Sequence, residues 1–181
     1  IWMKKRFLEM IHRETKNAKE GKPAKIIAKC NSLCDRKIIL ALYEASCAGV
    51  QVDLIVRGIC CLVAGKPGVS ENIRVRSIVG TFLEHARIFY FYNDGHEEIY
   101  MGSADWMPRN LERRVEILFP IEQPDLKEKV LHILQLELED TVKAHLMQKD
   151  GTYTKIGRNG KEEINSQEMF CTEAKMEADK G

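Results

Sequence analysis

The chain has no uninterrupted apolar run of about 18 residues or more, the length a membrane-crossing helix needs. It opens on "IWMKKRFLEMIHRE", which is basic but lacks the apolar stretch followed by small residues that marks a signal peptide. The net charge is only +1, which argues against nucleic-acid binding driven by a broad basic surface. There is no CxxC, and no pair of histidines at zinc-ligand spacing. The six cysteines, at 30, 34, 47, 60, 61 and 171, therefore read as small buried thiols in a reducing cytoplasm rather than a metal site. Internal repeats and low-complexity segments are absent as well. What remains, in 181 residues with 44% hydrophobic and 30% charged side chains, is enough for one well-buried domain. The first residue is Ile, not Met, and we expect residues 1–181 to be a single-domain piece of a longer chain.

Apolar periodicity organises the chain. Residues 3–19 carry Phe7, Met10 and Ile11 on one stripe among charged residues, which predicts an amphipathic helix ended by Gly21 and Pro23. "AKIIAKC" (24–30) reads as a short buried strand. Asp35 can cap a helix running through Ser46, with Gly49 as its stop. "VQVDLIV" (50–56) is β-branched and reads as a strand, so the unit is βαβ with parallel strands. A glycine-punctuated loop, "RGICCLVAGKPGVSEN", precedes a strand at 73–79. "ARIFYFYN" and "EEIYMGSA" flank Asp94-Gly95, a hairpin signal. "RRVEILFPI" (113–121) reads as another strand, and 124–144 as a long amphipathic helix. A second Asp-Gly turn follows in "KDGTYTKI", and residues 158–181 read as a polar, loosely held tail. The fold class expected is α/β, with a mixed sheet flanked by helices.

In such sheets functional groups gather at the carboxyl ends of strands. Three segments reach those positions. "AKCNSLCD" offers Lys29, Asn31 and Ser32 within a locally basic stretch, where Lys22, Lys25, Lys29, Arg36 and Lys37 face the one acid Asp35. "DLIVRG" places Arg57 directly after an apolar strand and before Gly58, which suits bidentate recognition of phosphate. "YMGSADWMPRN" packs Ser103, Asp105, Arg109 and Asn110 into eight residues, a polar density that is costly unless those groups bind something or each other. Each has a plainer reading: a turn at 29–31, a paired surface arginine, a helix-capping loop. Met101, Trp106 and Met107 read as packing. In "FLEHARIFYF", His85 taken alone reads as a structural histidine.

"KCNSLCD", "ALYEASCAGVQVDLIVRGICCL", "GVSENIRVRSIVGTFLEHARIFYF" and "YMGSADWMPRNLERRVEILFPI" together closely resemble the C-terminal domain of the polyphosphate kinase family, from about Phe7 to about Phe170. The resemblance implies a single phospholipase-D-like domain, the second of two in tandem behind an N-terminal and a helical domain. It implies reversible transfer of the terminal phosphate of ATP to a histidine in the preceding domain and then to growing polyphosphate. Magnesium would be bridged mainly by substrate phosphates and the preceding domain, with no metal ligand in this segment. The implied partners are ATP or ADP, polyphosphate, the enzyme's other domains and a second copy of the enzyme, with no nucleic acid. The implied place is the cytoplasm, with peripheral membrane association of the whole enzyme.

The resemblance puts His85 at the domain's active-site histidine and Arg57 at a nucleotide- or phosphate-binding position. Glu116 becomes the expected carboxylate partner that fixes the His85 tautomer. Lys29 and Arg87 are weaker candidates for lining the polymer path, alongside Asn31, Ser103, Asp105 and Arg109. The wider phospholipase-D pattern, His-x-Lys-x4-Asp followed by Gly-Ser-x-Asn and a later Asn-x-Glu, survives only in part. Here His85-Ala86-Arg87 has arginine for lysine and Tyr92 for the Asp, while Gly102-Ser103-Ala104-Asp105 and Arg114-Val115-Glu116 follow. Two other readings compete: a phospholipase-D-like phosphodiesterase or nuclease, which the missing lysine disfavours, and a noncatalytic polyanion-binding domain.

Overall fold

The computed structural model describes residues 2–157 and 162–179. Helix α1 (Trp2–Lys19) leads into β1 (Lys25–Cys30), α2 (Arg36–Cys47), β2 (Gln51–Val56) and β3 (Ile73–Ile78). Then come β4 (Ile88–Phe91), β5 (Glu98–Gly102), a single π-helical turn (Arg109–Arg113) and β6 (Leu118–Pro120). Helix α3 (Pro124–Glu139), β7 (Ala144–Met147), β8 (Tyr153–Lys155) and α4 (Ser166–Ala178) complete the order. Among the described residues the strands form one sheet, ordered β6-β5-β4-β1-β2-β3-β7-β8. β1, β2 and β3 are parallel, and every other pairing is antiparallel.

The alternation of side chains across the sheet sorts the core into two layers. Ile26, Ala28 and Cys30 of β1, with Val52, Leu54 and Val56 of β2, pack with Phe7, Met10 and Ile11 of α1 and Ile38, Leu42 and Ala45 of α2. Ile27 and Ile55 join Val130 and Leu134 of α3 in the second layer. Burial on both faces explains why the central parallel strands read as continuous apolar runs. Phe7, Phe89 and Trp106 form the centre of the first layer. Phe7 meets Phe89 edge-on at 4.6 Å between centroids, and Phe89 stacks on Trp106 at 5.1 Å.

The Asp35 carboxylate caps α2 by accepting from Lys37 N and Ile38 N, worth about 1 kcal/mol. Gly49 takes φ +98°, a left-handed conformation that ends the helix cleanly. The mixed α/β class, the parallel βαβ unit and the hairpin around Asp94-Gly95 all agree with the sequence reading.

Three expectations need correction. The strand expected over 113–121 shrinks to Leu118–Pro120. The Ile117 N–H that would feed a ladder instead donates to Ser103 Oγ, and Val115 is fully exposed with nothing to pack on. The helix expected to run to Ala144 ends at Glu139, because the Asp140 side chain gathers the amides of Val142, Lys143 and Ala144. That turn releases β7, a strand the periodicity concealed. The tail also carries a helix. Asp140 Oδ2 accepts from Ser166 N and Oγ, both at 2.8 Å, and this ties the start of α4 to the end of α3. Residues 158–161 and 180–181 of the expected loose tail lie outside the described residues.

Candidate active site

The topology brings separate segments to one end of the sheet. β1 and β2 are parallel, so Asn31 and Arg57 leave the sheet side by side at its carboxyl end. β4 runs antiparallel to β1, with Lys29 opposite Ile88, so the residues just before β4 arrive at that same end. These are His85 and Arg87. β5 runs back against β4, with Ile88 opposite Met101, and delivers Ser103 and Asp105 alongside.

Asp105 joins these segments. Its Oδ1 accepts from Asn31 N at 2.7 Å and Nδ2 at 3.3 Å, and from Ser32 N at 3.4 Å. The Arg87 guanidinium straddles the same carboxylate, Nε on Oδ1 at 3.3 Å and Nη2 on Oδ2 at 3.0 Å. On one side Asn31 Oδ1 accepts from Arg57 Nε at 2.9 Å. On the other, Arg87 Nη1 donates to His85 Nδ1 at 3.1 Å and to the His85 carbonyl at 3.0 Å. A continuous chain thus runs Arg57, Asn31, Asp105, Arg87, His85. A guanidinium can only donate, so Nδ1 of His85 is an acceptor and the ring's remaining proton sits on Nε2. Asp105 is 7% exposed, whereas His85 at the end of the chain is exposed. The buried members position the exposed one.

Gly58 allows the close approach behind Arg57. Its N–H donates to Asn31 O at 2.8 Å, and a Cβ there would stand 2.9 Å from that oxygen. Trp106 O accepts from Cys34 N and Asp35 N, both at 2.9 Å, which fastens the 103–106 loop to the β1–α2 loop.

Two expected roles change. Glu116 is not the partner of His85. Its carboxylate accepts from Ser103 Oγ and, at 2.6 Å, from Asn110 Nδ2, forming a second polar cluster with the start of β6. The partner of His85 Nδ1 is the Arg87 guanidinium, a cation in place of a carboxylate. Lys29 does not line any open path. It is 2% exposed, points to the α3 face, and donates to Glu84 at 2.7 Å and Glu137 at 2.8 Å. Burial raises the Glu137 carboxyl to about 7, opposed only in part by Lys29. Burial also pushes Glu84 up, but the bonds from Lys29 and Gln167 outweigh it and leave Glu84 below the usual carboxylate range. Arg109 is exposed on the π-helical turn, and Tyr92 lies past the far end of β4, its amide on Lys25 O.

Sequence reasoning missed Gln167. Its side chain bonds both backbone groups of Phe82, three residues before His85 in the same loop. The two residues are 85 positions apart, and no local pattern links them.

The family model for "Polyphosphate kinase C-terminal domain 2" matches residues 1–167. The chain belongs to this family. Polyphosphate kinase domains from two curated relatives agree with it closely. The Synechocystis polyphosphate kinase is 54% identical over 94% of this chain, and the Chlorobaculum tepidum polyphosphate kinase 1 is 55% identical over 92%. The matches span 23% and 24% of those proteins, so this polyphosphate kinase domain corresponds to about a quarter of their length. The crystal structure of polyphosphate kinase from Porphyromonas gingivalis superposes with a TM-score of 0.94, at 38% identity, covering 100% of this chain and 28% of that one. NucT from Helicobacter pylori shares the fold alone, with a TM-score of 0.50 at 14% identity over 73% of this chain.

Proposed function

We propose that this domain supplies one wall of the phosphoryl-transfer site of a polyphosphate kinase. The reaction is reversible transfer of the γ-phosphate of ATP to a histidine of a preceding domain, and then to the end of a polyphosphate chain. In the first step a nitrogen–phosphorus bond forms as the bond to the β-phosphate oxygen breaks and ADP leaves. In the second the terminal oxygen of the polymer takes the phosphoryl group and frees the histidine. Such transfer demands charge neutralisation and in-line positioning more than covalent chemistry from the surroundings.

The observation that carries this reading is the hydrogen-bonded chain from Arg57 to His85 at the carboxyl end of the parallel strands. Asn31 takes only the Nε of Arg57, which leaves the guanidinium's terminal nitrogens for phosphate oxygens. His85, held through Nδ1, offers Nε2–H to a phosphoryl oxygen or to the leaving oxygen. Among the described residues no group of three or more His, Cys, Asp or Glu side chains stands where it could hold a metal ion. Magnesium in this proposal arrives with the substrate phosphates, and no step here runs through it. The second copy, the other domains and association with a membrane surface belong to the whole enzyme in this proposal. No helix among the described residues is long and apolar enough to cross a membrane.

The phosphodiesterase alternative loses ground because the guanidinium at the lysine position is engaged by Asp105. In the full-length enzyme, Arg57→Ala and His85→Ala should each reduce transfer from ATP to polyphosphate at least about tenfold with circular dichroism unchanged. Near-normal turnover in both variants would leave a noncatalytic polyanion-binding role as the better account, and ATP and polyphosphate binding to Arg57→Ala would test it.

A further inference from the structure

The loop before β4 has little of its own to hold it. Val79, Phe82 and Leu83 are 66%, 58% and 68% exposed, so apolar burial does not anchor it. Among the described residues, no backbone group from Val79 to Ala86 is bonded to another backbone group. Yet this loop carries His85. A segment with few buried contacts and no ladder belongs to the low-stability end of a fold unless something else fixes it.

Beyond the Arg87 bonds to His85, what fixes it is a side chain from the other end of the sequence. Gln167, 5% exposed, sits in the first turn of α4. Its Oε1 accepts from Phe82 N at 2.9 Å while its Nε2 donates to Phe82 O at 2.9 Å. The amide thus pairs with both backbone groups of one residue, as a neighbouring strand would. Nε2 also donates to Glu84 Oε1 at 2.6 Å, and Glu84 is gripped from behind by Lys29 at 2.7 Å. Gly80 completes the fit, since a Cβ there would stand 2.3 Å from Gln167 Oε1. Gln167 is itself held by the bonds of Ser166 to Asp140 and by Ile164 N to Thr141 Oγ1 at 3.0 Å.

We infer that Gln167 is a positioning residue for His85, which makes helix α4 a structural part of the active site. Gln167 touches no reacting atom. It acts by fixing the backbone three residues upstream of the imidazole, where a displacement of about 1 Å can cost up to about a hundredfold in rate. The inference rests on the role proposed for His85.

The test uses the full-length enzyme and three variants. Gln167→Ala removes the clamp. Gln167→Glu keeps its shape but turns the donor into an oxygen facing Phe82 O and Glu84. Gly80→Ala displaces the amide from the loop side and leaves the sequence of α4 unchanged. Each should lower kcat about five- to tenfold with KM for ATP within about twofold, because the Arg57 segment is left in place. Each should also speed amide hydrogen exchange across 79–87 with the melting temperature of the enzyme little changed. In the His85→Ala background the same substitutions should add no further loss of kcat.

Unchanged exchange in Gln167→Ala overturns the clamp. Faster exchange with unchanged kcat, or losses that multiply with His85→Ala, overturns the positioning role. If His85→Ala alone is silent, the role of His85 fails, and the exchange result still decides the clamp. Should Gln167→Ala not fold, Gly80→Ala decides by the same readouts.

Discussion

Taking the charge from Asp105 would leave Arg87 with a neutral neighbour and Asn31 with a weaker acceptor. The aspartate is buried, and its two oxygens take charge-assisted or backbone bonds from two other segments, Asn31-Ser32 and Arg87. Asp105→Asn keeps the shape but sets an NH2 group against a guanidinium or a backbone N–H. We expect a loss of about 2–4 kcal/mol, since one partner of a buried ion pair is removed. Urea unfolding would report it as a lower midpoint at constant slope, and an unmoved midpoint would show that Arg87 keeps its place unaided. At this scale much of the site was legible. Arg57, Asn31 and Asp105 stood out because polar residues following apolar strands are costly without partners, whereas His85 and Arg87 were singled out by the family resemblance. Their pairings were not legible. Glu116 was matched to His85 by pattern, whereas the fold gives it Ser103 and Asn110.

Among the elements, the short edge strand β6 depends on a residue with no side chain. A Cβ on Gly102 would lie 2.3 Å from Ile117 O, a backbone atom that cannot swing aside. Gly102→Ala should therefore push β6 off β5 and lower stability by roughly 2 kcal/mol or more, measurable as a drop in melting temperature. It should also disturb Ser103, whose amide donates to that same carbonyl at 3.1 Å. Helices α1 and α2 and the central strands could be read from periodicity because each buries a continuous stripe or both faces. β6 was read too long, over 113–121, and β7 was not read at all. β6 is three residues long, and β7 follows α3 without an apolar break, so only the Asp140 side chain marks where helix ends and strand pairing starts.

For the whole molecule, the Lys29, Glu84 and Glu137 group links stability to pH. Glu137 is raised from 4.5 to about 7, so the folded state binds its proton more tightly than the unfolded chain. The folded state therefore loses stability as pH climbs from about 4.5 through about 7. Glu84 has the opposite sign, and its contribution fades only as pH falls below the ordinary carboxylate range. Between pH 5 and 8 the Glu137 effect should dominate at the order of 1–3 kcal/mol. Glu137→Gln should flatten that decline and raise the melting temperature at pH 8 more than at pH 5. Parallel profiles for the two proteins would mean that the carboxyl stays charged throughout.

By itself the sequence determined the α/β class, the parallel βαβ unit, the hairpin and the family, and it singled out most of the polar residues that the fold gathers at the carboxyl end of the sheet. These depend on local periodicity, turn chemistry and runs of residues that a linear string records. The tertiary structure alone decided which polar group faces which. It buried Lys29 between two carboxylates, gave His85 an arginine in place of Glu116, and brought Gln167 against a loop 85 residues away. Such pairings depend on strand order and register, which are set by how the whole core closes and leave no trace in the spacing of residues along the chain.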